Sequence, residues 1–189
     1  RNLCARVPEG VSMEDAAFTT LAAIVLQGMR LAAPSLGERF AVIGLGLLGQ
    51  LAVQLLRAAG CEVIGVDPRQ DRRELAAARG AAVYSPAQAG AWERALDGAL
   101  VCASARDAAP LEQAVALCRE RGRVVLVGVA EIALDRARLF EREVSLQVSR
   151  SYGPGRYARA YEERDLDYPV GHVRWTARRN FQAALAQMA

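Results

Sequence analysis

The residues Val42–Gly49 read Val-Ile-Gly-Leu-Gly-Leu-Leu-Gly, and an aspartate, Asp67, ends the next apolar segment. A Gly-x-Gly-x-x-Gly turn with an acidic residue roughly 20 positions beyond it is the pattern of a strand–turn–helix unit that binds a dinucleotide. Gly44 permits the tight turn, Gly46 lets the backbone approach a pyrophosphate, and Gly49 lets the helix pack close to the sheet. The pattern therefore predicts a phosphate site at this turn.

The segments beside the turn have the required periodicity. Phe40–Ile43 is a short apolar run, and the segment after Gly46 carries an apolar stripe at helical spacing, formed by Leu48, Leu51, Ala52, Leu55, Leu56 and Ala59. The free N–H groups at the start of this helix, at Leu47 and Leu48, are placed to meet the phosphates. Asp67 is the candidate acceptor for ribose hydroxyls. Two simpler interpretations stay open: a glycine turn of an unrelated α/β domain, and a turn aspartate before Pro68.

Strands and helices alternate along the chain, which predicts an α/β fold with a doubly wound parallel sheet, a Rossmann fold of about six strands. The predicted strands are Phe40–Ile43, Cys61–Val66, Ala82–Tyr84, Leu100–Ala103, Arg123–Val127 and Val144–Val148. Besides the helix after the turn, the predicted helices are Met13–Leu31, Asp71–Arg79, Ala91–Leu96, Leu111–Arg121 and Trp175–Met188, the last capped by Thr176. The stretch after Ser149 lacks periodicity and predicts a long loop before the last helix.

The composition excludes several classes of protein. All 24 basic residues among the 189 are arginine, the net charge is +3, and the arginines are scattered, which argues against a nucleic-acid partner. Without lysine, neither a Walker A loop nor a Tyr-x-x-x-Lys pair is possible. No apolar run reaches the roughly 18 residues of a membrane span, and no signal peptide precedes the first helix, so we expect a cytoplasmic protein. The dispersed cysteines, Cys4, Cys61, Cys102 and Cys118, predict reduced thiols rather than a zinc module.

Together, the glycine turn, Leu36–Arg39, Asp67 and Gly122–Gly128 resemble the nucleotide-binding half of the medium-chain dehydrogenase/reductase family, whose members include zinc-type alcohol dehydrogenases. The tail is similar to the bacterial bi-domain oxidoreductase branch, in which a zinc-alcohol-dehydrogenase-like half precedes a glucose-fructose-oxidoreductase-like half. The residues that carry this second likeness are Ser149–Tyr157, Asp167–Pro169, Val173–Thr176 and Arg179–Asn180.

The resemblance implies three segments. Residues 1–33 correspond to a hinge segment and helix from a catalytic domain, residues 34–149 to an NAD-binding domain, and residues 150–189 to a tail that returns toward the catalytic domain. The fold that carries the family's catalytic zinc lies mostly before the cofactor domain, so we expect the chain to be a fragment or a reduced relative that is inactive alone.

The resemblance also implies cofactor contacts. Asp67 would accept from the adenine-ribose hydroxyls and repel a 2′-phosphate, which favours NAD over NADP. Arg72 stands where the family has a basic residue beside the ribose, although Arg69 and Arg72 are also of the type that binds such a phosphate. Past the strand ends, further contacts are expected from Ala103, Ser104, Gly128 and Val129.

A zinc site is not expected in this chain. When the family's third zinc ligand is a cysteine, its position falls near Thr19 and Thr20, and threonine is a poor zinc ligand. No catalytic residue is assigned, because the sole histidine, His172, has no visible partner and reads as a surface or packing residue. The tail tyrosines either line a sugar-like pocket or fasten the tail.

Two functions follow. The first is an oxidoreductase that transfers hydride between a nicotinamide and a small-molecule alcohol or carbonyl substrate. A sugar-like substrate is one form of this hypothesis. The second is a non-catalytic nucleotide-binding or assembly module. A methyltransferase is disfavoured because Ala41–Ile43 holds no acidic residue. The sixth strand should lie at the sheet edge, so we also expect a homodimer through Val144–Val148, with Val144, Leu146 and Leu139 shielded by the partner.

Overall fold

The computed structural model describes residues 2–189, which include a six-stranded parallel sheet. The strands are β1 (Arg39–Ile43), β2 (Glu62–Val66), β3 (Ala82–Tyr84), β4 (Leu96–Val101), β5 (Cys118–Leu126) and β6 (Ser145–Val148). The helices are α1 (Met13–Ala16), α2 (Thr19–Ala32), α3 (Leu47–Ala58), α4 (Gln70–Ala77), α5 (Ala109–Leu117), α6 (Arg136–Arg142), α7 (Arg159–Glu162) and α8 (Ala177–Ala186), with a 3-10 turn at Gln88–Trp92. The predicted doubly wound α/β fold is confirmed.

The strand order is β3-β2-β1-β4-β5-β6, so the direction of winding reverses between β1 and β4. Ligands of open parallel sheets bind at this reversal, outside the carboxyl ends of the strands. The central strand β1 is buried from Phe40 onward, and it pairs with β2 on one side and β4 on the other. A Cβ on Gly98 of β4 would lie 2.4 Å from the Phe40 ring, so this glycine makes room for the aromatic side chain.

The predicted helix Met13–Leu31 is two helices, α1 and α2. Ser12 caps α1 by accepting from the Asp15 N–H at 3.0 Å, and the Phe18 N–H bonds back to the Asp15 carbonyl at 3.0 Å. The Thr19 hydroxyl donates to the Ala16 carbonyl at 2.6 Å. Such local side-chain bonds satisfy the backbone without a continuous helix, which is why the apolar periodicity alone was misleading.

The predicted helix Ala91–Leu96 was wrong. Leu96 begins β4, and Arg94 has a left-handed backbone, with φ of 58°. The N–H groups of Arg94 and Ala95 donate to the Ala116 and Leu117 carbonyls at 3.1 and 3.0 Å, so the segment is tied to the end of α5. These long-range bonds override the local helical preference of an alanine-rich segment.

The observed boundaries of the neighbouring elements also differ from the predicted ones. Helix α5 ends at Leu117 rather than at Arg121, because Cys118 turns extended and pairs with Leu96, and β5 therefore begins earlier than predicted. At the terminus, α8 begins at Ala177, and Thr176 occupies the N-cap position without a side-chain capping bond. Helices α6 and α7 were not predicted; Asp135 caps α6 by accepting from the Ala137 N–H at 2.8 Å.

Two compact units divide the chain: residues 2–27 with 150–189, and residues Gly28–Ser149. One boundary between the units lies between Ser149 and Arg150, and the other lies inside α2, between Gln27 and Gly28. The three segments expected from the family resemblance stay a prediction. The whole parallel sheet belongs to the second unit.

Strand β6 ends the sheet, as predicted for the sixth strand. Val144 is only 7% exposed and packs in the chain's own core with partly buried Leu139 and Leu146, so Val144 does not need a partner to shield it. Among residues 2–189, no helix has the length and apolar character required to span a membrane.

Candidate cofactor site

The turn after β1 depends on two of its three glycines for its shape. Gly44 has a φ of +89°, and a Cβ there would lie 2.6 Å from the Ala103 backbone. A Cβ on Gly49 would lie 2.0 Å from the Gly44 carbonyl oxygen. No side chain fits at either position, so the turn and α3 pack directly against each other and against the end of β4.

Gly46 differs from the other two glycines of the turn, Gly44 and Gly49. It has an ordinary φ of −68°, and the nearest atom to an added Cβ would be Arg72 Nη1 at 3.8 Å, so the space above it is open. Gly46 is the N-cap of α3, and the first i to i−4 bond of the helix runs from the Gln50 N–H to the Gly46 carbonyl at 2.8 Å. The N–H groups of Leu47, Leu48 and Gly49 therefore have no such partner, and a helix end of this kind is suited to an anion.

Asp67 follows β2 directly, and its side chain is only 2% exposed. Oδ2 accepts from the Leu45 N–H at 2.7 Å, and Oδ1 accepts from the Arg69 N–H at 2.8 Å. The carboxylate thus ties the glycine turn to the start of α4, as the turn-aspartate interpretation requires. By its lone pairs, each carboxylate oxygen can accept one hydrogen bond more than the one it receives here.

Three arginines surround Asp67, and each is engaged. Arg72 Nη1 lies 3.6 Å from Asp67 Oδ2, and Arg73 Nη1 donates to the Asp67 and Pro68 carbonyls at 2.7 and 2.8 Å. Arg69 forms a two-bond pair with Asp71, at 3.0 and 2.6 Å. The hydrogen bond from Arg69 lowers the pKa of Asp71, and the same bond raises the pKa of Arg69. Asp71 and Asp67 thus pair with Arg69 and Arg72, whereas Arg73 is held by neutral backbone carbonyls.

The ends of β4 and β5 are joined by backbone bonds. Ser104 and Val129 form an isolated parallel bridge; the Val129 N–H donates to the Ala103 carbonyl at 3.0 Å, and the Ala105 N–H donates to the Val129 carbonyl at 2.8 Å. The Gly128 N–H donates to the Val101 carbonyl at 2.9 Å, and a Cβ on Gly128 would lie 2.2 Å from the Ala103 carbonyl oxygen. The two N–H groups of Gly128 and Val129 are therefore used within the sheet.

A cleft of about 580 Å³ opens above these strand ends. Of the predicted site residues, the structure brings together along its wall Gly44, Gly46, Asp67, Arg72, Ala103 and Ser104. Leu47, Leu48 and Gly49 stand beside the cleft in the turn and first helical turn, and Gly128 and Val129 lie next to Ser104 without lining it.

Sequence reasoning missed part of the cleft wall. The additional polar residues are Asp107, which accepts from the Ala109 N–H at 3.2 Å, and Gln113, which donates to the Pro86 carbonyl at 2.8 Å. Asp107 lies in the loop between β4 and α5, just before α5, and Gln113 lies on α5; a search for polar residues at the start of the next helix would have found Asp107. Cys102 also lines the wall, and burial raises the pKa of its thiol to about 12, so the group is a neutral thiol near pH 7.

Metal-ligating side chains do not cluster in residues 2–189: no group of three or more His, Cys, Asp or Glu is arranged to hold an ion. Thr19, near the position of the family's third zinc ligand, directs its hydroxyl to a helix carbonyl. The described donor set therefore does not fit a zinc ion.

A family model described as zinc-binding dehydrogenase matches residues 48–164, well over half of the chain. The chain belongs to the zinc-binding dehydrogenase family. This confirms the resemblance to medium-chain, alcohol-dehydrogenase-like proteins.

Curated relatives and solved structures agree with this assignment. The chain is 39% identical over 77 residues to D-guloside 3-dehydrogenase of Escherichia coli (strain K12), covering 40% of this chain and 22% of that protein. It is 26% identical over 174 residues to 2-dehydro-3-deoxy-L-galactonate 5-dehydrogenase of Pseudoalteromonas atlantica, covering 87% and 48%. The alcohol dehydrogenase of Thermus sp. ATN1 superposes with a TM-score of 0.77 at 21% identity, covering 97% and 51%. At that identity the superposition establishes the fold, and the chain spans about half of the latter two proteins.

Proposed function

We propose that Gly28–Ser149 bind NAD in the cleft above β1 and β4 and present its nicotinamide to an alcohol or carbonyl substrate of the whole protein. The observation that carries this is the open space over Gly46 beside a buried carboxylate that retains acceptor capacity. These features fit a pyrophosphate on the α3 N-terminus and ribose hydroxyls on Asp67. When bound, the nicotinamide supplies hydride transfer; the chain supplies binding and orientation.

The residues divide the binding task. The unpaired N–H groups at the start of α3 hold negative charge, and the absence of a Cβ on Gly46 lets the backbone come close. Asp67 accepts from hydroxyls, and the wall formed by Ala103 and Ser104 encloses the nicotinamide side of the cleft. The apolar cleft wall excludes water, which strengthens each of these polar contacts.

The charge arrangement favours NAD over NADP. The Asp67 carboxyl group stands at the proposed ribose position, while the guanidinium groups of Arg69 and Arg73 are already engaged by Asp71 and by backbone carbonyls. A 2′-phosphate would meet like charge at Asp67, with Arg72 as the remaining cation within reach. NADH should therefore bind more tightly than NADPH.

The test of cofactor choice is calorimetric titration of the chain with NADH and NADPH. Asp67→Ala should reduce the difference between the two affinities, because it removes both the hydroxyl acceptor and the repulsion. Arg73→Ala is the matched control, since Arg73 donates only to backbone carbonyls. Equal or tighter NADPH binding by the unmodified chain would contradict the preference, and no binding of either would contradict the cofactor site itself.

For the whole protein we propose a polyhydroxylated, sugar-like alcohol or its carbonyl as substrate. The names of two relatives, a guloside dehydrogenase and a deoxygalactonate dehydrogenase, support this class. The test is reduction of NAD by the whole protein against a panel of sugar acids and glycosides, with simple aliphatic alcohols as the comparison. Turnover restricted to aliphatic alcohols would contradict it.

We also propose that the chain forms a homodimer through the free edge of β6. Val148 of β6 is 57% exposed, so apolar surface remains at this edge. The Ser149 N–H donates to the Leu126 carbonyl of β5 at 2.8 Å, and because alternate residues of a strand face opposite neighbours, the Val148 N–H points to the open side. An unpaired strand edge of this kind pairs readily with a second copy.

A further inference from the structure

Gln50 is a polar side chain in the buried part of α3, with 7% of its surface exposed. Its Nε2 donates to the Leu45 carbonyl at 2.9 Å and to the Arg72 carbonyl at 2.9 Å. Both donors of the amide are therefore used. The amide orientation is fixed as well, because the reverse orientation would place Oε1 against two carbonyl oxygens.

The two carbonyls belong to opposite halves of the candidate site. Leu45 lies in the glycine turn, and its N–H donates to Asp67 Oδ2 at 2.7 Å. Arg72 lies in α4, and its Nη1 stands 3.6 Å from the same Oδ2. Gln50, Leu45, Asp67 and Arg72 thus form a closed ring of polar contacts. The ring joins the end of β1, the end of β2 and α4.

Space filling does not account for an amide at this position. The Gln50 Oε1 is buried and has no hydrogen-bond partner among the described residues, and a buried acceptor left in this state is destabilising. A methionine of similar length would fill the volume without that cost. What the amide adds is the pair of bonds to the turn and to α4.

We propose that Gln50 is a positioning residue that fixes the separation between the phosphate-binding turn and the ribose-binding carboxylate. The inference rests on the proposed cofactor function. Pyrophosphate and ribose belong to one ligand, so both sets of contacts must stand at the right separation before it binds. A site held in that arrangement in advance avoids the ordering cost on binding.

The experiment compares Gln50→Met with the unmodified chain, using three probes. ADP spans both halves of the site, adenosine meets the carboxylate half, and inorganic pyrophosphate meets the turn. We expect ADP affinity to fall about tenfold, the equivalent of one hydrogen bond of preorganisation. Affinities for adenosine and pyrophosphate should each change by less than about twofold, because each probe needs only one half.

Gln54→Met is the matched control. Gln54 lies one turn further along α3, is exposed, and donates to the Gln50 carbonyl at 3.1 Å, so it shares the helix and the chemistry but contacts neither half of the site. Its ADP affinity should equal that of the unmodified chain. Gln50→Asn, which keeps the amide but cannot reach both carbonyls, provides the same comparison if Gln50→Met does not fold.

The outcomes separate the inference from the function on which it rests. If the unmodified chain binds neither ADP nor NADH, the proposed cofactor function is wrong. If it binds ADP and the Gln50 variants bind ADP equally well, the positioning role is wrong. Equal losses for ADP, adenosine and pyrophosphate would also overturn it, because a general loosening weakens every probe alike.

Discussion

The two units of the chain are stabilised by different means. In Gly28–Ser149, parallel strands and their helices bury aliphatic side chains, as in the cluster that includes Ile43, Ile64, Val101 and Leu126. In residues 2–27 with 150–189, buried polar groups and arginine–aromatic contacts are prominent. The first kind of stabilisation follows from hydrophobic periodicity, and the second depends on partners far apart in the sequence.

Tyr161 shows how the second unit is built. Its side chain is almost fully buried; its hydroxyl accepts from the Arg178 N–H at 3.0 Å and donates to the Asn2 carbonyl at 3.4 Å. Asn2 Nδ2 donates in return to the Tyr161 carbonyl at 3.0 Å. A similar bond runs from Asn180 Nδ2 to the Tyr152 carbonyl at 3.0 Å. Each of these connections, between the start of the chain, α7, α8 and the loop at Tyr152, consists of one or two hydrogen bonds.

Arginine–aromatic stacking contributes as well. The guanidinium groups of Arg150 and Arg156 lie 4.4 and 4.2 Å from the centre of the Tyr157 ring. Such contacts are worth about 0.5–1 kcal/mol each at exposed sites. The segment between Ser149 and α8 consists mostly of turns and loop, as its sequence predicts, apart from the short helix α7. The arginine–aromatic contacts hold this loop without any apolar repeat.

The largest expected effect comes from a substitution in the glycine turn of Gly28–Ser149, the unit that holds the sheet (the sheet unit). Gly49→Ala should destabilise the chain by at least about 3 kcal/mol, because its Cβ would lie 2.0 Å from the Gly44 carbonyl oxygen. Denaturant unfolding measures the change. Gly90→Ala, with no atom within 4 Å of the added Cβ, is the control and should stay within about 0.5 kcal/mol. Near-native stability of Gly49→Ala would show that the turn tolerates rearrangement.

The next effect separates binding from folding in the same turn. Gly46→Ala should lower NADH affinity about a hundredfold, since its methyl group occupies the space over the α3 N-terminus and charged hydrogen bonds are lost. Its stability should fall by less than about 1 kcal/mol, because the nearest atom is 3.8 Å away. Calorimetry and denaturation on one sample measure both. Normal NADH binding would mean that the motif is structural only.

A third prediction concerns residues 2–27 with 150–189, here called the polar unit. Tyr161→Phe should cost about 1–2 kcal/mol, because it leaves the Arg178 N–H and the Asn2 carbonyl without their partner. NADH affinity should not change, since the cleft is lined by residues of Gly28–Ser149. Trp92 and Trp175 lie in different units. In a chain that also carries Trp92→Phe, Trp175 is the remaining tryptophan, and its fluorescence follows unfolding of the polar unit.

Tyr168→Phe is the control for that measurement. Tyr168 stacks on Tyr161 at 6.0 Å, and its hydroxyl makes no hydrogen bond among residues 2–189. Its removal should change the unfolding free energy by less than about 0.5 kcal/mol. An equal loss in both variants would assign the stability of the unit to ring packing instead of to buried hydrogen bonds.

The smallest effect concerns the edge of the sheet. Val148→Pro should raise the dissociation constant of the proposed dimer about tenfold, because it removes one outward N–H donor while the Ser149 bond to β5 remains. Val148→Thr keeps the donor and the β-branched shape, so it should dimerise normally. Analytical ultracentrifugation measures both; a monomeric unmodified chain at micromolar concentration would contradict the dimer.

Much of the sheet unit could be predicted. The bounds of β3 are those that the apolar pattern predicts, and the observed bounds of β1, β2 and α4 differ from the predicted ones by one or two residues at an end. The glycine turn lies where it was predicted. These features depend on hydrophobic period and glycine placement, which act locally. The candidate carboxylate Asp67 was found in the same way. The Ala91–Leu96 helix and the end of α5 could not be predicted, since Arg94 and Cys118 take their conformations from bonds between the two segments. Gln50 was missed because a polar residue between apolar ones gives no periodic signal.

The sequence by itself determined the parallel doubly wound sheet, the glycine turn and the acidic residue after β2. These depend on local backbone freedom, helical or strand periodicity, and the rule that ligand sites follow strand ends. Only the tertiary structure decided that Gly46 faces open space while Gly44 and Gly49 are packed against backbone, that Gln50 ties Leu45 to Arg72, and that Val144 is covered by its own chain. Each of these depends on which atoms distant segments bring together, and such contacts leave no repeat in the sequence.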